Sequence, residues 1–491
     1  MKKKTNVYLR ICSMMLALLM LAGMLIACAN KQEPVSSDEA NSSNDENSTG
    51  DLFDPESEPV AYMEDFGGYE FRVLTRGAGA WTSNDIMGEV MGNMVDQAVY
   101  IRNETVSRAY NFTVAETKAN DWVAMARNTA SSGSSRDSFD MWSFKANDIT
   151  ALALEGHLCD LNDVPYMRLD AAYYDQALRE QGSFANRVFF LTGDLIYQDD
   201  MATAIMTFNE DMWDRFKLGE AYDVSSMYEL VDAGKWTLET FEQMARMTTN
   251  EKNGDGVRDE RDWWGFNYEN GNILSLNIAA NNDLLYKDED DIFVLNQSDK
   301  QLTDMQNIMK LLNSGYAYSS LGNAGSLFTK DVQFIEMNWV SALPGFVESG
   351  VNFGVIPPCK ADEEQKEYRS FITTYGSNCI TICQNVEDAN KTASIIELLS
   401  YHSRKLVTPK LHTYLFDGRI IPNADDSRML QYIIDHRCYE LCYLWSVGSL
   451  YSTMIGVNNA DGVGLASALE SSREAVETSI ARKLERLENQ A

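Results

Sequence analysis

One loop carries oxygen-donor side chains at the spacing that calcium sites use. Residues 251–262 place such side chains at the first, third, fifth, ninth and twelfth positions and a glycine, Gly256, at the sixth. This is the spacing of an EF-hand loop, in which the glycine permits a sharp turn and hard oxygen ligands surround Ca²⁺. The predicted ligands are Glu251, Asn253, Asp255, Asp259 and Asp262, with the carbonyl of Val257. We expect a structural Ca²⁺ ion here, and an acidic solvated turn is the alternative.

Groups that could catalyse a reaction are sparse elsewhere. The four histidines are scattered and lack the spacing of a zinc site or a catalytic triad. Asp199 and Asp200 form a carboxylate pair, but adjacent residues on a strand point to opposite faces. A glycosidase needs two carboxyls about 5 to 10 Å apart across one bond. We therefore predict no catalytic residue and no enzymatic activity.

The N-terminus has the pattern of an export signal. Three lysines and Arg10 precede an uncharged apolar run that ends Leu-Ile-Ala-Cys at Cys28. A basic segment before a short apolar run is typical of a signal peptide, and a permanent span needs about 20 apolar residues. Leu-x-Ala-Cys resembles the lipobox of bacterial lipoproteins. The resemblance implies a signal peptide over residues 1–28, lipidation of Cys28 with fatty acids such as palmitate, and a position at the extracellular face of the cell membrane.

The next segment is predicted to be a disordered tether. Residues 29–65 are rich in Ser, Asn, Asp and Glu up to about Pro59. Such a stretch buries too little apolar surface to offset the entropy of ordering it. A globular body would then be held at a distance from the membrane.

Composition and net charge limit the classes of partner that the globular body can bind. The chain of 491 residues has 73 Asp and Glu against 41 Lys and Arg, a formal charge of −32. This balance repels nucleic acid and anionic headgroups, so neither is an expected partner. A body of this length exceeds what one core usually organises, so we expect two lobes.

Hydrophobic patterning predicts an α/β fold. Short apolar strands at residues 69–74, 112–114 and 139–142 alternate with amphipathic helices, as in a parallel sheet covered by helices. Further strands are predicted at 188–191, 204–208 and 353–357. Helices are predicted at 210–216, after the N-cap Thr237, at 395–401, at 429–445, and from Leu465 to Leu487.

Several segments resemble the sugar-binding extracellular solute-binding proteins (family 1) of ABC importers, which include maltose-binding protein. Residues 139–161 match a unit of strand, helix and Gly-x-Leu-x-Asp-Leu, and residues 205–210 match a strand that ends in Phe-Asn. Gly234-Lys-Trp-Thr and 353–358 (Phe-Gly-Val-Ile-Pro-Pro) match two further family segments. Glu210 stands where the family usually has lysine.

The resemblance implies a two-lobed, periplasmic-binding-protein-like (type II) fold with a hinge and an interlobe cleft. The expected first lobe comprises residues 66–198 and about 331–365, and the second comprises 199–330 and about 366–491. The chain would cross near residues 198–201 and 359–371. A monomer that presents a carbohydrate to permease subunits is the implied assembly.

Sugars present apolar C–H faces and a rim of hydroxyls, so their sites combine aromatic platforms with polar side chains. Alignment with the family puts Phe144 and Asn147 at a platform and a polar ligand. The other candidates lie on predicted loops, strand ends or crossings: Trp81, Tyr197, Asp199, Asp200, Trp263, Asn272, Asn338, Trp339, Tyr375 and Trp445. Each of them could instead serve the core or the hinge.

Three functions stay open at this stage. The leading one is a receptor that captures a sugar or oligosaccharide for an importer. The second is a sensory solute-binding lipoprotein that signals to a membrane kinase, and the third is a secreted glycoside hydrolase. Binding without turnover distinguishes the first two from the third.

Overall fold

The computed structural model describes residues 56–77, 84–132, 138–269, 271–319, 327–416, 423–460 and 462–490. The strands are β1 (Tyr69–Arg76), β2 (Phe112–Ala119), β3 (Met141–Ser143), β4 (Ala204–Asn209), β5 (Trp264–Tyr268), β6 (Leu285–Lys287), β7 (Phe293–Leu295), β8 (Ala317–Ser319), β9 (Gln333–Trp339), β10 (Phe353–Ile356), β11 (Ser370–Phe371) and β12 (Arg437–Cys438).

The helices alternate with these strands. They are α1 (Met94–Tyr110), α2 (Trp122–Ser131), α3 (Ala146–Leu154), α4 (Gln176–Gly182), α5 (Gln198–Met201), α6 (Glu210–Arg215), α7 (Leu218–Tyr222), α8 (Met227–Asp232), α9 (Leu238–Thr248), α10 (Asn272–Ala279), α11 (Asp299–Leu312), α12 (Leu343–Ser349), α13 (Ala389–Leu406), α14 (Thr408–Phe416), α15 (Ala424–Asp435), α16 (Leu441–Leu444), α17 (Leu450–Asn458) and α18 (Leu465–Glu488). In the described part of the chain, no helix combines the length and apolarity that crossing a membrane requires.

Two sheets organise the body into the two-lobed, periplasmic-binding-protein-like fold. The first sheet has the order β2-β1-β3 and is parallel throughout. The second has the order β10-β4-β9-β5-β8, and in it β4 runs antiparallel to both of its neighbours. Strand β4 directly follows α5, so the chain leaves the first lobe through that single helical turn.

The hinge is built where three segments of the chain meet. Strand β11 pairs in parallel with β12, and Thr203, just before β4, forms a bridge with Ile372, just after β11. These short pairings lie beside the two crossings that the sequence predicts near residues 198–201 and 359–371.

The structure corrects the predicted lobe boundaries. Strands β9 and β10 both belong to the second sheet, so residues 331–365 do not return to the first lobe. The return comes later: the Cys379 amide donates to the Phe144 carbonyl (2.9 Å) and the Ile380 amide to the Leu191 carbonyl (2.7 Å). Helix α13 then packs against α1 in the first lobe. Hydrogen bonding between strands, which the linear pattern does not specify, decided this assignment.

The end of the predicted tether is also corrected. Residues 56–65 lie against the body: Arg404 pairs with Glu56 (3.0 Å), Arg168 donates to the Ser57 carbonyl (2.9 Å), and the Tyr62 amide donates to Ser394 (2.9 Å). Residues 29–55 of the tether lie outside the described residues, as do the signal segment and Cys28.

Two element predictions differ from the structure. The apolar run 429–445 is divided into α15, β12 and α16, because Arg437 and Cys438 pair with β11 at the hinge. The run 188–191 forms only one isolated bridge, at Leu191. The helix from Leu465 and the Thr237 N-cap, which accepts from the Thr240 amide, are confirmed.

Candidate functional site

The carboxyl ends of the first sheet meet the hinge at Tyr375. Arg76 is the last residue of β1, and Lys145 follows β3 by two residues. The Arg76 Nη1 donates to the Tyr375 carbonyl (2.6 Å), and the Lys145 Nζ lies 4.7 Å from the centre of the Tyr375 ring. Ligands of open α/β sheets bind at the carboxyl ends of the strands, which makes this edge the candidate site.

Three tyrosines form a continuous aromatic surface beside that edge, which we call the tyrosine strip: Tyr375, Tyr443 and Tyr451. The rings of Tyr375 and Tyr443 are stacked with centroids 6.2 Å apart, and those of Tyr443 and Tyr451 are 4.8 Å apart. The Tyr375 side chain is 51% exposed, and the other two are half-buried. Such a surface offers apolar ring faces together with hydroxyls, the combination that a sugar requires.

The second lobe brings three predicted ligand residues to the same region. Trp339 ends β9 and contacts Phe371 of the hinge with ring centroids 6.0 Å apart. Asn338 precedes it and donates to Glu336 (3.2 Å). Asn272 begins α10 after β5, the parallel neighbour of β9, so it lies at the same end of the second sheet. Trp339, Tyr443 and Tyr451 pack against one apolar cluster around Phe371.

Tyr197 lies at another part of the boundary between the lobes. It borders a cavity of about 360 Å³ together with Asn84 and Lys118 of the first lobe and Ser341 of the second. Burial, with the nearby charge of Asp85, raises the pKa of the Tyr197 hydroxyl, which therefore stays protonated as a hydrogen-bonding group.

Asp199 and Asp200 bind a hinge arginine instead of facing open space. The Arg437 guanidinium pairs with Asp175 (3.0 Å), with Asp199 (3.5 Å) and with Asp200. The pKa of Asp199 is raised by burial, although Arg437 opposes that rise. These carboxylates fasten α5 to β12 across the hinge and are not free to contact a sugar in this conformation.

Phe144 and Trp445 are buried in the core. Phe144 is fully buried and stacks on Trp142 with centroids 6.2 Å apart. Trp445 is 1% exposed and its indole donates to the Gly182 carbonyl (3.1 Å). A ligand reaches neither ring in this conformation, because neighbouring apolar side chains cover both.

Trp263 is placed away from the hinge. It contacts Phe216 with ring centroids 5.4 Å apart and precedes β5, whereas Asn272 follows that strand. A five-residue strand separates its two ends by about 16 Å. Trp81 lies outside the described residues.

Asn147 is half-buried on the first turn of α3, close to the tyrosine strip. Its Oδ1 is buried without a hydrogen-bond partner among the described residues. Three residues on, the Thr150 hydroxyl donates to the Leu444 carbonyl (3.1 Å), next to Tyr443. The structure thus gathers Asn147, Asn272, Asn338, Trp339 and Tyr375 around the hinge. Tyr443 and Tyr451 were not predicted, because no local pattern distinguishes them among 23 tyrosines.

The 251–262 loop turns at Gly254 and Gly256, both with positive φ. The turn at Gly256, the sixth position, is the one that an EF-hand loop requires. Its side chains accept from backbone amides within the loop: Asp255 from Val257 (2.8 Å) and Asp262 from Lys252 (2.9 Å). Arg261 pairs with Asp255 (2.9 Å) and with Asp259, two predicted metal ligands. Among the described residues, no group of three or more His, Cys, Asp or Glu side chains is arranged to hold a metal ion.

Comparisons with known proteins support the fold. No protein-family model matches the sequence, and no curated protein matches it significantly. Solved structures do match. An ABC substrate-binding protein from Listeria monocytogenes in complex with cycloalternan has a TM-score of 0.54 and 12% identity, covering 84% of this chain and 99% of that one.

Two further structures show the same fold. A cyclic α-maltosyl-1,6-maltose binding protein from Arthrobacter globiformis has a TM-score of 0.54 at 13% identity, covering 84% of this chain and 99% of that one. The maltose/maltodextrin-binding domain MalE from Bdellovibrio bacteriovorus, bound to maltotriose, has 0.51 at 14% identity, covering 84% and 100%. At such identities the likeness establishes the architecture.

Proposed function

We propose that this protein is a non-catalytic solute-binding lipoprotein that captures a sugar or oligosaccharide between its lobes for an ABC importer. The observation that carries the proposal is the tyrosine strip, an aromatic surface at the hinge of a two-lobed fold, in which Tyr375 is exposed and its two neighbours are half-buried. Structures that share this fold include proteins solved with cycloalternan and with maltotriose. Closure of the lobes around the sugar would create the form that permease subunits recognise.

Isothermal titration against a broad glycan panel tests this proposal. We expect at least one glycan to bind without being cleaved. Tyr375→Ala should weaken that binding about fivefold, because a stacked aromatic contact contributes about 1 kcal/mol and a factor of ten corresponds to about 1.4 kcal/mol.

The matched control is Tyr286→Ala, since Tyr286 on β6 is as exposed as Tyr375, at 51%. Its replacement should leave the affinity unchanged. Heat from peptides or polyamines and none from any glycan would overturn the sugar assignment.

The anchor is a separate part of the proposal. Cys28, at the end of the lipobox-like segment, would carry the lipid and hold a monomeric body at the extracellular face of the cell membrane. Cys28→Ala should move the protein from the membrane fraction to the medium, and light scattering of the released body should give a monomer mass. A body that has lost the apolar segment and still stays with the membrane after this substitution would refute lipidation at Cys28.

A sensory role shares the fold and the site, so it is the main alternative. Cross-linking the ligand-bound protein in cells distinguishes the two roles, because an importer predicts capture of permease subunits and a sensor predicts capture of a kinase. Glycoside hydrolysis is disfavoured because Asp199 and Asp200 are engaged by Arg437. Release of reducing sugar from a bound glycan would support the hydrolase alternative again.

We further propose that the 251–262 loop binds Ca²⁺. Its glycine turns and oxygen-rich side chains support this, although Arg261 must leave Asp255 and Asp259 for the ion to enter. A rise in melting temperature with CaCl₂, absent with MgCl₂ and reversed by a chelator, is the expected result.

A further inference from the structure

The first-lobe edge of the cleft is positively charged, although the chain as a whole is strongly acidic. A cation lies at or near the carboxyl end of each strand of the first sheet: Arg76 is the last residue of β1, Lys118 is the last but one of β2, and Lys145 follows β3 by two residues. Residues Thr75 and Lys118 are paired in the register of β1 and β2, so these ends are adjacent.

Two carboxylates lie beside these cations. Glu116 is 3.7 Å from Lys118, and Asp148 is 3.5 Å from Lys145. Asp148 is shared, since it also accepts from the Trp122 indole (2.8 Å). A third carboxylate, Asp85, lies beside the buried Arg102, and that pair adds no net charge. Asp96 lines one cavity with Lys118, so Glu116 and Asp96 together cancel the charge of Lys118. Arg76 and Lys145 share the single carboxylate of Asp148, which leaves one positive charge in excess beside Tyr375.

Arg76 is the cation least satisfied by the protein. It is 7% exposed, its Nη1 donates to a carbonyl, and its buried Nε has no hydrogen-bond partner among the described residues. Its guanidinium carbon lies 5.7 Å from the Trp122 ring centre. Burial lowers the pKa of Arg76, which reflects the cost of keeping this charge away from water. Buried polar groups without partners are rare and are often completed by a bound molecule.

Lys145 lies over the exposed ring of Tyr375 in the tyrosine strip, and Arg76 binds the backbone carbonyl of the same residue. A sugar that stacks on Tyr375 would place its substituents within reach of the Lys145 ammonium, 4.7 Å from the ring centre, and of the Arg76 guanidinium. We propose that the ligand of this cleft is a sugar that bears a carboxylate, such as a uronic-acid residue, with Lys145 and Arg76 as its specificity-determining contacts. This inference rests on the proposed sugar-binding function.

The local charge excess and the range of electrostatic screening both favour a carboxylate as the charged group of the ligand. A single excess positive charge matches a carboxylate of one negative charge better than a phosphate monoester, which carries about −1.5 to −2 at neutral pH. The overall charge of −32 repels anions at long range, but at physiological salt this repulsion is screened beyond about 8 Å. Contacts at the edge then decide the affinity.

Matched ligands isolate the carboxylate. The probes are uronate oligosaccharides prepared from pectin, alginate and hyaluronan, each titrated beside the same oligosaccharide after chemical reduction of its carboxyls. We expect at least one uronate form to bind tenfold or more tightly than its reduced form, because a charge-assisted hydrogen bond contributes more than a neutral one. Lys145→Met should remove most of that preference, measured as the ratio of the two affinities.

Two further variants provide a control and a second test of the cationic contacts. Lys366→Met, at an exposed lysine outside the candidate site, is the matched control and should bind like the native protein. Arg76→Gln should also reduce the preference, and Lys145→Met serves if Arg76→Gln unfolds the protein.

The outcomes separate this inference from the proposed function. Tighter binding of neutral glycans or sugar phosphates than of uronates overturns the inference and leaves sugar binding in place. A uronate preference that survives both substitutions also overturns it. No binding of any glycan refutes both proposals.

Discussion

Two clusters in this protein use the same chemistry in different surroundings. In the hinge cluster, Arg437 binds Asp175, Asp199 and Asp200. In the loop cluster, Arg261 binds Asp255 and Asp259. Side chains of the hinge cluster are 3–16% exposed, whereas those of the loop cluster are 32–61% exposed.

Burial outweighs the effect of the arginine on the pKa of its carboxylates in the hinge cluster but not in the loop cluster. In the hinge cluster, desolvation raises the pKa of Asp199 despite Arg437. In the loop cluster, hydrogen bonds from Arg261 lower the pKa of Asp259, because water still solvates the charge. The same ion pair is therefore structural at the hinge and exchangeable in the loop.

Removing the arginine from each cluster should give the largest contrast. Arg437→Met leaves two buried carboxylates and the half-buried Asp200 without their cation. Removing the partner of a buried charge typically costs about 3–5 kcal/mol of unfolding free energy. Urea denaturation of the released body measures the loss. Because the cluster fastens α5 to β12, we also expect weaker glycan binding.

Arg261→Met is the matched control for this prediction. It removes an exposed arginine with two carboxylate partners, so the midpoint of urea denaturation should hardly move in the absence of calcium. Equal losses for the two variants would show that burial does not distinguish the clusters.

The pH dependence of stability extends the comparison of buried and exposed carboxylates to Asp194, which borders the hinge cluster. Asp194 accepts from Thr408 (2.5 Å) and lies 3.3 Å from Arg404, yet burial raises its pKa to about 6. A folded-state pKa above the ordinary value of 3.8 means that the charged form costs stability above pH 6. That cost decreases as pH falls from about 6 to about 4.

Asp194→Asn should therefore be more stable than the native protein at pH 7, by on the order of 3 kcal/mol. The advantage should be small near pH 4 and vanish below about pH 3, where the native carboxyl is protonated in both states. Denaturation curves at several pH values measure the difference. An advantage that grows on acidification would mean that Arg404 dominates and that the pKa is lowered.

The smallest effect is expected in the loop cluster, and it concerns calcium. Arg261→Met frees Asp255 and Asp259, so the variant should bind Ca²⁺ more tightly than the native loop. Calcium titration followed by thermal unfolding measures this, with Asp255→Asn as the variant that should lose the response. Weaker calcium binding by Arg261→Met would show that the arginine orders the ligands instead of competing with the ion.

The sequence by itself determined the local elements and the fold class. Periodic apolar residues predicted β1, β4 and α18, and the Thr237 cap predicted the start of α9, because each signal lies within a few neighbouring residues. The order of family-like segments predicted the two lobes. Asn272, Asn338, Trp339 and Tyr375 could be selected because they fall at predicted strand ends or loops.

Only the tertiary structure decided which of these residues meet. Strand pairing between distant segments moved β9 and β10 into the second lobe and divided the run 429–445 at Arg437. Burial placed Phe144 and Trp445 in the core, and it committed Asp199 and Asp200 to the hinge. The tyrosine strip joins Tyr375 to Tyr451, which are 76 positions apart in the chain. Contacts between residues so far apart do not produce a local sequence pattern that could predict them.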